Sequence, residues 1–227
     1  MISVVIPVLN AGGTLGPTLA ALMPGVVAGM IREVILADGG SDDAIAEIAD
    51  AVGARLIVAP RGRGTQLAAG AAAARGGWLL FLHADTALSV EWVAAARAHI
   101  GRHPDGAGWF RLRFDASGPA PWLVAGWANL RARAFGLPYG DQGLLISRAT
   151  YAAIGGYRPI PLMEDVALAR ALGRRRLHAL DAVATTSAAR YRADGWLRRG
   201  ARNLGCLALF FAGVAPERIA RLYRRRL

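Results

Sequence analysis

Four runs of strand length, residues 2–9, 33–37, 54–59 and 78–82, are apolar almost throughout rather than at alternate positions. A strand with one wet face alternates, so continuous runs predict parallel strands covered on both faces. Helix-start residues stand between them: Thr14 before 15–23, the triplet Ser41, Asp42 and Asp43 before 44–52, and Thr65 before 66–75. This βαβ succession predicts an α/β fold, a mostly parallel sheet flanked by helices, with residues 1–104 as a nucleotide-binding half. Beyond Asp105 the pattern turns irregular, with Gly-Pro-Ala-Pro at 118–121, a short strand at 143–147 and a helix from about Glu164. No repeat or linker divides the chain, and 227 residues, 54% of them hydrophobic, suffice for one full core, so a single domain over 1–227 is expected.

All 27 basic residues are arginine, and the absence of lysine excludes P-loop ATPases, protein kinases and Schiff-base enzymes, which need a lysine at the centre of the site. The arginine bias itself reads as a G+C-rich coding sequence. Its position says more than its sum of +11. Residues 1–169 hold thirteen arginines and thirteen acids, whereas 170–227 hold fourteen arginines against Asp181, Asp194 and Glu217. The basic helical extension over 193–227 suits an anionic membrane surface, a diphosphate or simply water. Nucleic acid ranks last, because no helix-turn-helix, zinc finger or aromatic ribonucleoprotein motif is present.

The apolar run 204–215 falls short of the ~20 residues that cross a bilayer. Arg198, Arg199 and Arg202 precede it, and Arg218, Arg221 and the run 224–226 follow. That pattern fits an interfacial helix pair and equally a core-packing helix with arginines at its wet ends. The first apolar run has no basic stretch before it and no small-residue cleavage site after Asn10, which argues against secretion. A lone Cys206 forms neither an internal disulfide nor a cysteine-based metal site. Both point to the cytoplasm, with the inner face of the membrane as the place the basic end would reach.

Ligands of open parallel sheets bind beyond the carboxyl ends of the strands, near a switch in strand order. Three such ends are polar: Pro7 to Asn10, Asp38 to Asp42, and His83 to Thr86. Asp38 suits a ribose hydroxyl or a base N–H, or else serves as a turn former. Asp85 suits a divalent cation through hard oxygen ligation, or else caps a helix. The glycine-relaxed stretch Arg61, Gly62, Arg63, Gly64, Thr65, Gln66 opens onto a helix start and suits an anion. The Gly-x-Gly-x-x-Gly fingerprint of nicotinamide enzymes is missing after the first strand. Glu164 and Asp165 stand together at a helix start, where the dipole alone favours acids.

In order and spacing, residues 3–10, 33–43, 62–85, 140–156 and 162–170 resemble family-two glycosyltransferases of the GT-A fold. The stretch Phe81 to Thr86, the Gly-Asp-Gln-Gly at 140–143, Pro161 to Asp165 and residues 187–196 are similar to the bacterial radical-SAM/selenodomain-associated transferase 2 subfamily. The resemblance implies a transferase that moves one sugar from a uridine or guanosine diphosphate sugar to an acceptor hydroxyl, with inversion and with Mn2+ or Mg2+ as cofactor. It implies a catalytic base at Asp165 and a metal ligand at Asp85. Nucleotide-sugar contacts would fall on Pro7, Asn10, Asp38, Arg61, Gly64, Gln66, His83, Ala84 and Arg190, and acceptor or donor-sugar contacts on Asp141, Gln142 and Glu164. The acceptor, lipid-linked or otherwise membrane-proximal, would meet the half over 105–192. Two departures stand out: His83 replaces the first aspartate of the usual metal motif, and Ser187 with Arg190 and Tyr191 is a worn form of Gln-x-x-Arg-Trp, which argues against a processive synthase. Consecutive helical side chains diverge by ~100°, so the adjacent acids are expected to divide their roles. A sugar-phosphate nucleotidyltransferase and a non-catalytic peripheral membrane protein are the rival classes; the first lacks its Arg-Met-Gly loop and lysine here, and the second leaves the acids unexplained.

Overall fold

The computed structural model describes residues 1–224, so Arg225 and Arg226 of the basic run lie outside the described residues. The four apolar runs form β1 (Ile2–Val8), β2 (Ile31–Asp38), β3 (Arg55–Val58) and β4 (Trp78–Phe81), parallel to one another in the order β3-β2-β1-β4. Between them run α1 (Gly12–Val27), α2 (Ile45–Ala51) and α3 (Arg63–Ala73). Alternate strand residues divide between two cores. Val4, Ile6, Val8 and Leu36 pack with Leu15, Leu22 and Ile45 on one side, while Val5, Ile35 and Leu79 pack with Leu67 and Ala71 on the other. Burial on both faces is the reason these strands show no alternation.

The helix starts differ from expectation. None of α1, α2 or α3 has a side-chain cap from its own N-cap residue. Thr14 lies inside α1 and its hydroxyl donates back to the Ala11 carbonyl at 3.1 Å. The Asp43 carboxylate instead accepts from the Gly12 N–H at 2.7 Å, so the loop after β2 satisfies an orphan donor of α1.

The second half is more regular than its composition suggests. It contains β5 (Thr86–Leu88), α4 (Trp92–Arg102), β6 (Ala107–Phe114), α5 (Pro119–Phe135), β7 (Leu144–Ser147), α6 (Arg148–Ala153), α7 (Glu164–Leu172), β8 (Leu177–Thr186), α8 (Ala189–Asp194), α9 (Trp196–Phe211) and α10 (Pro216–Arg224). The Gly-Pro-Ala-Pro stretch opens the 17-residue α5, because prolines in a first turn forfeit only N–H groups that have no helical partner. The sheet continues β7-β6-β8-β5, with β7 antiparallel to both β4 and β6, and β5 antiparallel to β8. Strand order therefore turns at β1 and β4, and strand direction reverses at β4 and β7. That junction carries the loop from His83 to Asp85.

The late apolar run packs partly inward. Cys206 of α9 and Ile219 of α10 are buried with Leu137, Met163 and Val166, so the C-terminal helices lie on α7. No helix of the described residues is long and apolar enough to cross a membrane.

At the sheet end opposite the His83 loop, His103 and His178 stack at 3.8 Å and His99 stands 5.4 and 5.7 Å from them. His99 is buried with its Nε2 unpartnered, and burial first, then the two neighbouring histidines, hold its pKa down to about 4. A base depressed in the fold takes its proton first in the unfolded chain, so stability is lost as pH falls from about 6.5 towards 4. The expected loss from His99 is roughly 3 kcal/mol over that window. Melting temperatures of the parent and His99→Phe between pH 7 and 4.5 check this: the variant should show the shallower fall, and equal slopes would remove His99 as the cause.

Candidate active site

The ends of β1 and β2 are knitted together before any ligand arrives. Asp38 is buried, and its carboxylate accepts from the Ser41 N–H at 3.0 and 3.1 Å and from the Ser41 hydroxyl. These are the contacts of a turn former. Asn10 adopts a left-handed backbone, φ 52°, donates its N–H to the Ser41 hydroxyl and accepts from the Asp42 N–H at 3.0 Å. Pro7 is half-buried at the end of β1, Arg61 is exposed, and the Ala84 carbonyl accepts from Thr18.

Three expected ligand contacts are instead internal. Gln66 is buried, and its amide nitrogen donates to the carbonyls of Val8 and Ala37 at 2.7 and 2.8 Å, so it staples β1 to β2. Gln142 is fully buried and is tied to Tyr139, Asn129 and Phe110. Gly64 is a close-approach glycine: a Cβ there would stand 2.3 Å from the Arg158 carbonyl and 3.3 Å from Glu164 Cβ. Such a clash falls on backbone, so Gly64→Ala should cost about 1–3 kcal/mol by overpacking and shift the 158–160 loop. Urea unfolding measures it, and a change within about 0.5 kcal/mol would mean the loop gives way freely.

His83, Asp85, Asp141, Glu164, Asp165 and Arg190 are brought together around one cavity of about 170 Å³. It opens where strand order turns, between the loop after β4, the 3-10 turn Gly140–Gln142, the start of α7 and the C-terminal helices. Asp85 precedes a strand, so it caps no helix; its carbonyl accepts from the Ser187 N–H at 3.1 Å. Asp165 accepts from the Gly140 N–H at 2.9 Å and from its neighbour Val166 at 2.7 Å. Both adjacent acids line the cavity, because it wraps the tip of α7 instead of facing one side of it. They differ in access. Glu164 is 2% exposed and faces Arg63 at 3.5 Å, while Asp165 is half-buried.

Burial first, then Asp165, pushes the Glu164 carboxyl up to about 7 against the pull of Arg63. Burial likewise raises Asp141 to about 6, with Arg131 pulling down and Asp165 and Asp85 pushing up; its Oδ1 is buried without a partner. The His83 imidazole is held well below its ordinary range by burial and then by Arg63 and Arg190, so it is neutral at pH 7.

Arg63, from the glycine-relaxed stretch expected to suit an anion, also faces the cavity, as do Tyr139, Arg199, Asn203 and Tyr223, which no motif marked. Arg199 donates to Asp194 at 2.6 Å and to the Tyr223 hydroxyl at 2.9 Å, which braces α8, α9 and α10 into one wall. Met163, directly before the paired acids, has φ 68°, strain that a non-glycine residue bears where the surroundings fix it.

Acids that suit a cation and a hydroxyl thus meet arginines that suit an anion. Among the described residues no three histidine, cysteine or acidic side chains converge on one point, so the chain alone builds no cage for a metal. The buried Nε2 of His83 faces Gly140, leaving Asp85 as the better placed ligand. One carboxylate plus the oxygens of a bound diphosphate is the donor set by which Mg2+ is commonly held, and these residues fit a metal that arrives with its nucleotide.

The family model described as "Glycosyl transferase family 2" matches residues 3–153. That match ends before Glu164, Asp165 and Arg190. A "PGL/p-HBAD biosynthesis glycosyltransferase" of Mycobacterium tuberculosis is 34% identical over 117 residues, 45% of this chain and 43% of that protein, so the chain spans under half the length of the curated relatives it matches. Glucosyl-3-phosphoglycerate synthase of Mycobacterium tuberculosis, solved with Mn2+, UDP and glucosyl-3-phosphoglycerate, superposes with a TM-score of 0.59 at 22% identity, covering 82% of this chain and 70% of that one. S. aureus TarS 1-349 with UDP-GlcNAc gives 0.62 at 16% identity, covering 82% and 58%.

Proposed function

The chain belongs to glycosyl transferase family 2 and has the α/β fold of GT-A glycosyltransferases, and on that premise we propose that it moves a single sugar from a nucleoside diphosphate sugar to an acceptor hydroxyl with inversion. The observation that carries the reading is the single cavity in which Asp85 and Asp165 face Arg63 and Arg190 at the turn of strand order. The motifs around His83, at 140–143 and at 161–165 favour the radical-SAM/selenodomain-associated transferase 2 subfamily. Both structural relatives were solved with a uridine nucleotide and one of them with Mn2+, which favours a uridine diphosphate sugar and Mn2+ over the guanosine and Mg2+ alternatives. A lipid-linked or membrane-proximal acceptor, a cytoplasmic location at the inner membrane face, and one functional unit over 1–227 belong to the same reading.

In this reading the carboxylate of Asp165 takes the proton of the acceptor hydroxyl while that oxygen attacks the anomeric carbon. The new C–O bond forms on the face opposite the breaking bond to the diphosphate, which inverts the centre. Negative charge grows on the leaving diphosphate, and Arg63 and Arg190 are set to oppose it. Asp85 would hold a divalent metal, which when bound would supply Lewis-acid stabilisation of that charge. Asp38, Asn10 and Gln66 hold the strand-end loops on which a nucleoside would rest.

Slow hydrolysis supplies the test, since a transferase without its acceptor leaks its donor to water. Incubation with UDP- and GDP-sugars and Mn2+ should release free nucleoside diphosphate from one of them. Release of pyrophosphate from sugar phosphate and nucleoside triphosphate would point to the nucleotidyltransferase, and no turnover of any donor would sink the reading.

A further inference from the structure

Helix α5 carries a face that the core does not use. Trp122, Leu123, Trp127, Leu130 and Phe135 are 73, 60, 44, 55 and 62% exposed, whereas Ala125, Ala128 and Ala132 on the other side are buried. At ~100° per residue Trp122, Leu123, Leu130 and Trp127 fall within about 140° of arc on the outer side, and Phe135 is exposed at the end of the helix. The adjoining α9 repeats the pattern. Leu197, Ala201, Leu204, Ala208 and Phe211, at helical spacing, are all exposed, while Cys206 is buried and Arg199 and Asn203 line the cavity.

Charge within the two helices is of one sign, and the acids at their starts, Asp115 and Asp194, are paired with Arg192 and Arg199. Neither α5 nor α9 contains an acidic residue. Arg133 and Arg198 are exposed on them, and the exposed turn Arg174–Arg176 abuts the end of α5, where a Cβ on Gly136 would stand 2.9 Å from the Arg174 backbone. Arg170 lies over the Phe211 ring at 5.0 Å. Large exposed apolar faces on adjoining helices, with arginines beside them, mark an interaction site. Tryptophan is enriched at the level of lipid headgroups, and arginine beside it adds attraction to anionic lipid.

We propose that the outer faces of α5 and α9 dock the protein flat on an anionic bilayer, in the manner of a monotopic protein. The aromatic and leucine side chains enter the headgroup boundary, and the arginines meet the lipid phosphates. A second copy of the chain is the less suitable occupant, because an isologous contact through this face brings arginine rims of like charge together. The docking deepens the proposal of a membrane-proximal acceptor but does not need sugar transfer to hold. With α9 presenting one side to the bilayer and the other to the cavity, an acceptor carried by lipid would need to leave its membrane little or not at all.

Co-sedimentation with phosphatidylglycerol/phosphatidylcholine vesicles, against pure phosphatidylcholine vesicles, tests it. The parent should partition at least roughly tenfold more strongly to the anionic vesicles, and the preference should shrink with salt. The double variant W122S/W127S should lose roughly tenfold or more of that binding while retaining the parent's melting temperature and donor hydrolysis. L123S/L130S, tested alongside, guards against a fault peculiar to the tryptophans. Equal partition of the parent to both vesicles, or none, overturns the proposal. So does unchanged binding of both variants, which would leave only arginine adsorption, or a parent dimer in solution that W122S/W127S dissolves. Donor hydrolysis is read separately in every sample, so a failure of docking and a failure of the transferase reading give different results.

Discussion

Asp165→Asn is expected to lower the transfer rate roughly 100-fold to 10,000-fold, the usual worth of a general base, while donor binding stays near the parent value. Asparagine keeps the size of the side chain, and its amide oxygen can still accept from the Gly140 N–H that Asp165 engages at 2.9 Å. What is lost is the capacity to take a proton. Single-turnover transfer at saturating donor and acceptor reads the chemical step, and nucleotide titration reads binding. Near-parental turnover would remove Asp165 as the base.

The rival is the neighbouring acid. Glu164, raised to about 7, is the better poised proton acceptor on pKa alone. Its geometry argues the other way: it is 2% exposed and faces Arg63, so an acceptor hydroxyl meets Asp165 first. A base must first be within hydrogen-bond reach of the proton it removes. In the same assay Glu164→Gln should therefore alter stability or acceptor affinity more than the chemical step. If that variant alone abolished transfer with donor binding intact, the two roles would exchange.

Much of the first half of the fold was legible because burial on both sheet faces leaves a mark in one dimension. The strands at 2–9, 33–37, 54–59 and 78–82 all appear, within a few residues of their expected bounds. The later strands leave a weaker mark. β6 alternates only from Phe110 on, with exposed Arg111 and Arg113 set between buried Phe110, Leu112 and Phe114, and α5 hides its helical period because its outer face is as apolar as its inner one. The site was legible where chemistry follows a strand end, as with Asp85, and opaque where it depends on distant partners. Arg63 and Glu164 meet across 101 residues, and the wall from Tyr191 to Tyr223 exists only once α9 and α10 pack on α7 and α8 packs against β6 and α5. Gln66 and Gln142 misled for a related reason: polar residues beside a site are read as ligand contacts, yet a buried amide with two donors and an acceptor is also the simplest staple between backbones.

The second large effect should come from Asp85. Asp85→Asn is expected to abolish the gain in nucleoside diphosphate affinity that Mn2+ brings, with a loss of about 1.5–3 kcal/mol, the range for removing a charged partner from such a contact. That corresponds to roughly 10- to 150-fold in dissociation constant. The argument rests on how little else in the cavity can replace this carboxylate. His83 is neutral with its Nε2 turned to Gly140, Asp141 is raised to about 6 by burial, and Asp165 holds the Gly140 N–H. Asp85 is half-buried on a loop after a strand, so its neutral isostere should leave the melting temperature nearly unchanged. Calorimetric titration of nucleoside diphosphate with and without Mn2+ separates the two terms. Metal-free affinity should be equal to the parent's or better, since a negative charge facing the diphosphate has gone. If the variant keeps the full Mn2+ dependence, the metal is held elsewhere in the cavity, and Asp141, whose buried Oδ1 lacks a partner, becomes the residue to replace next.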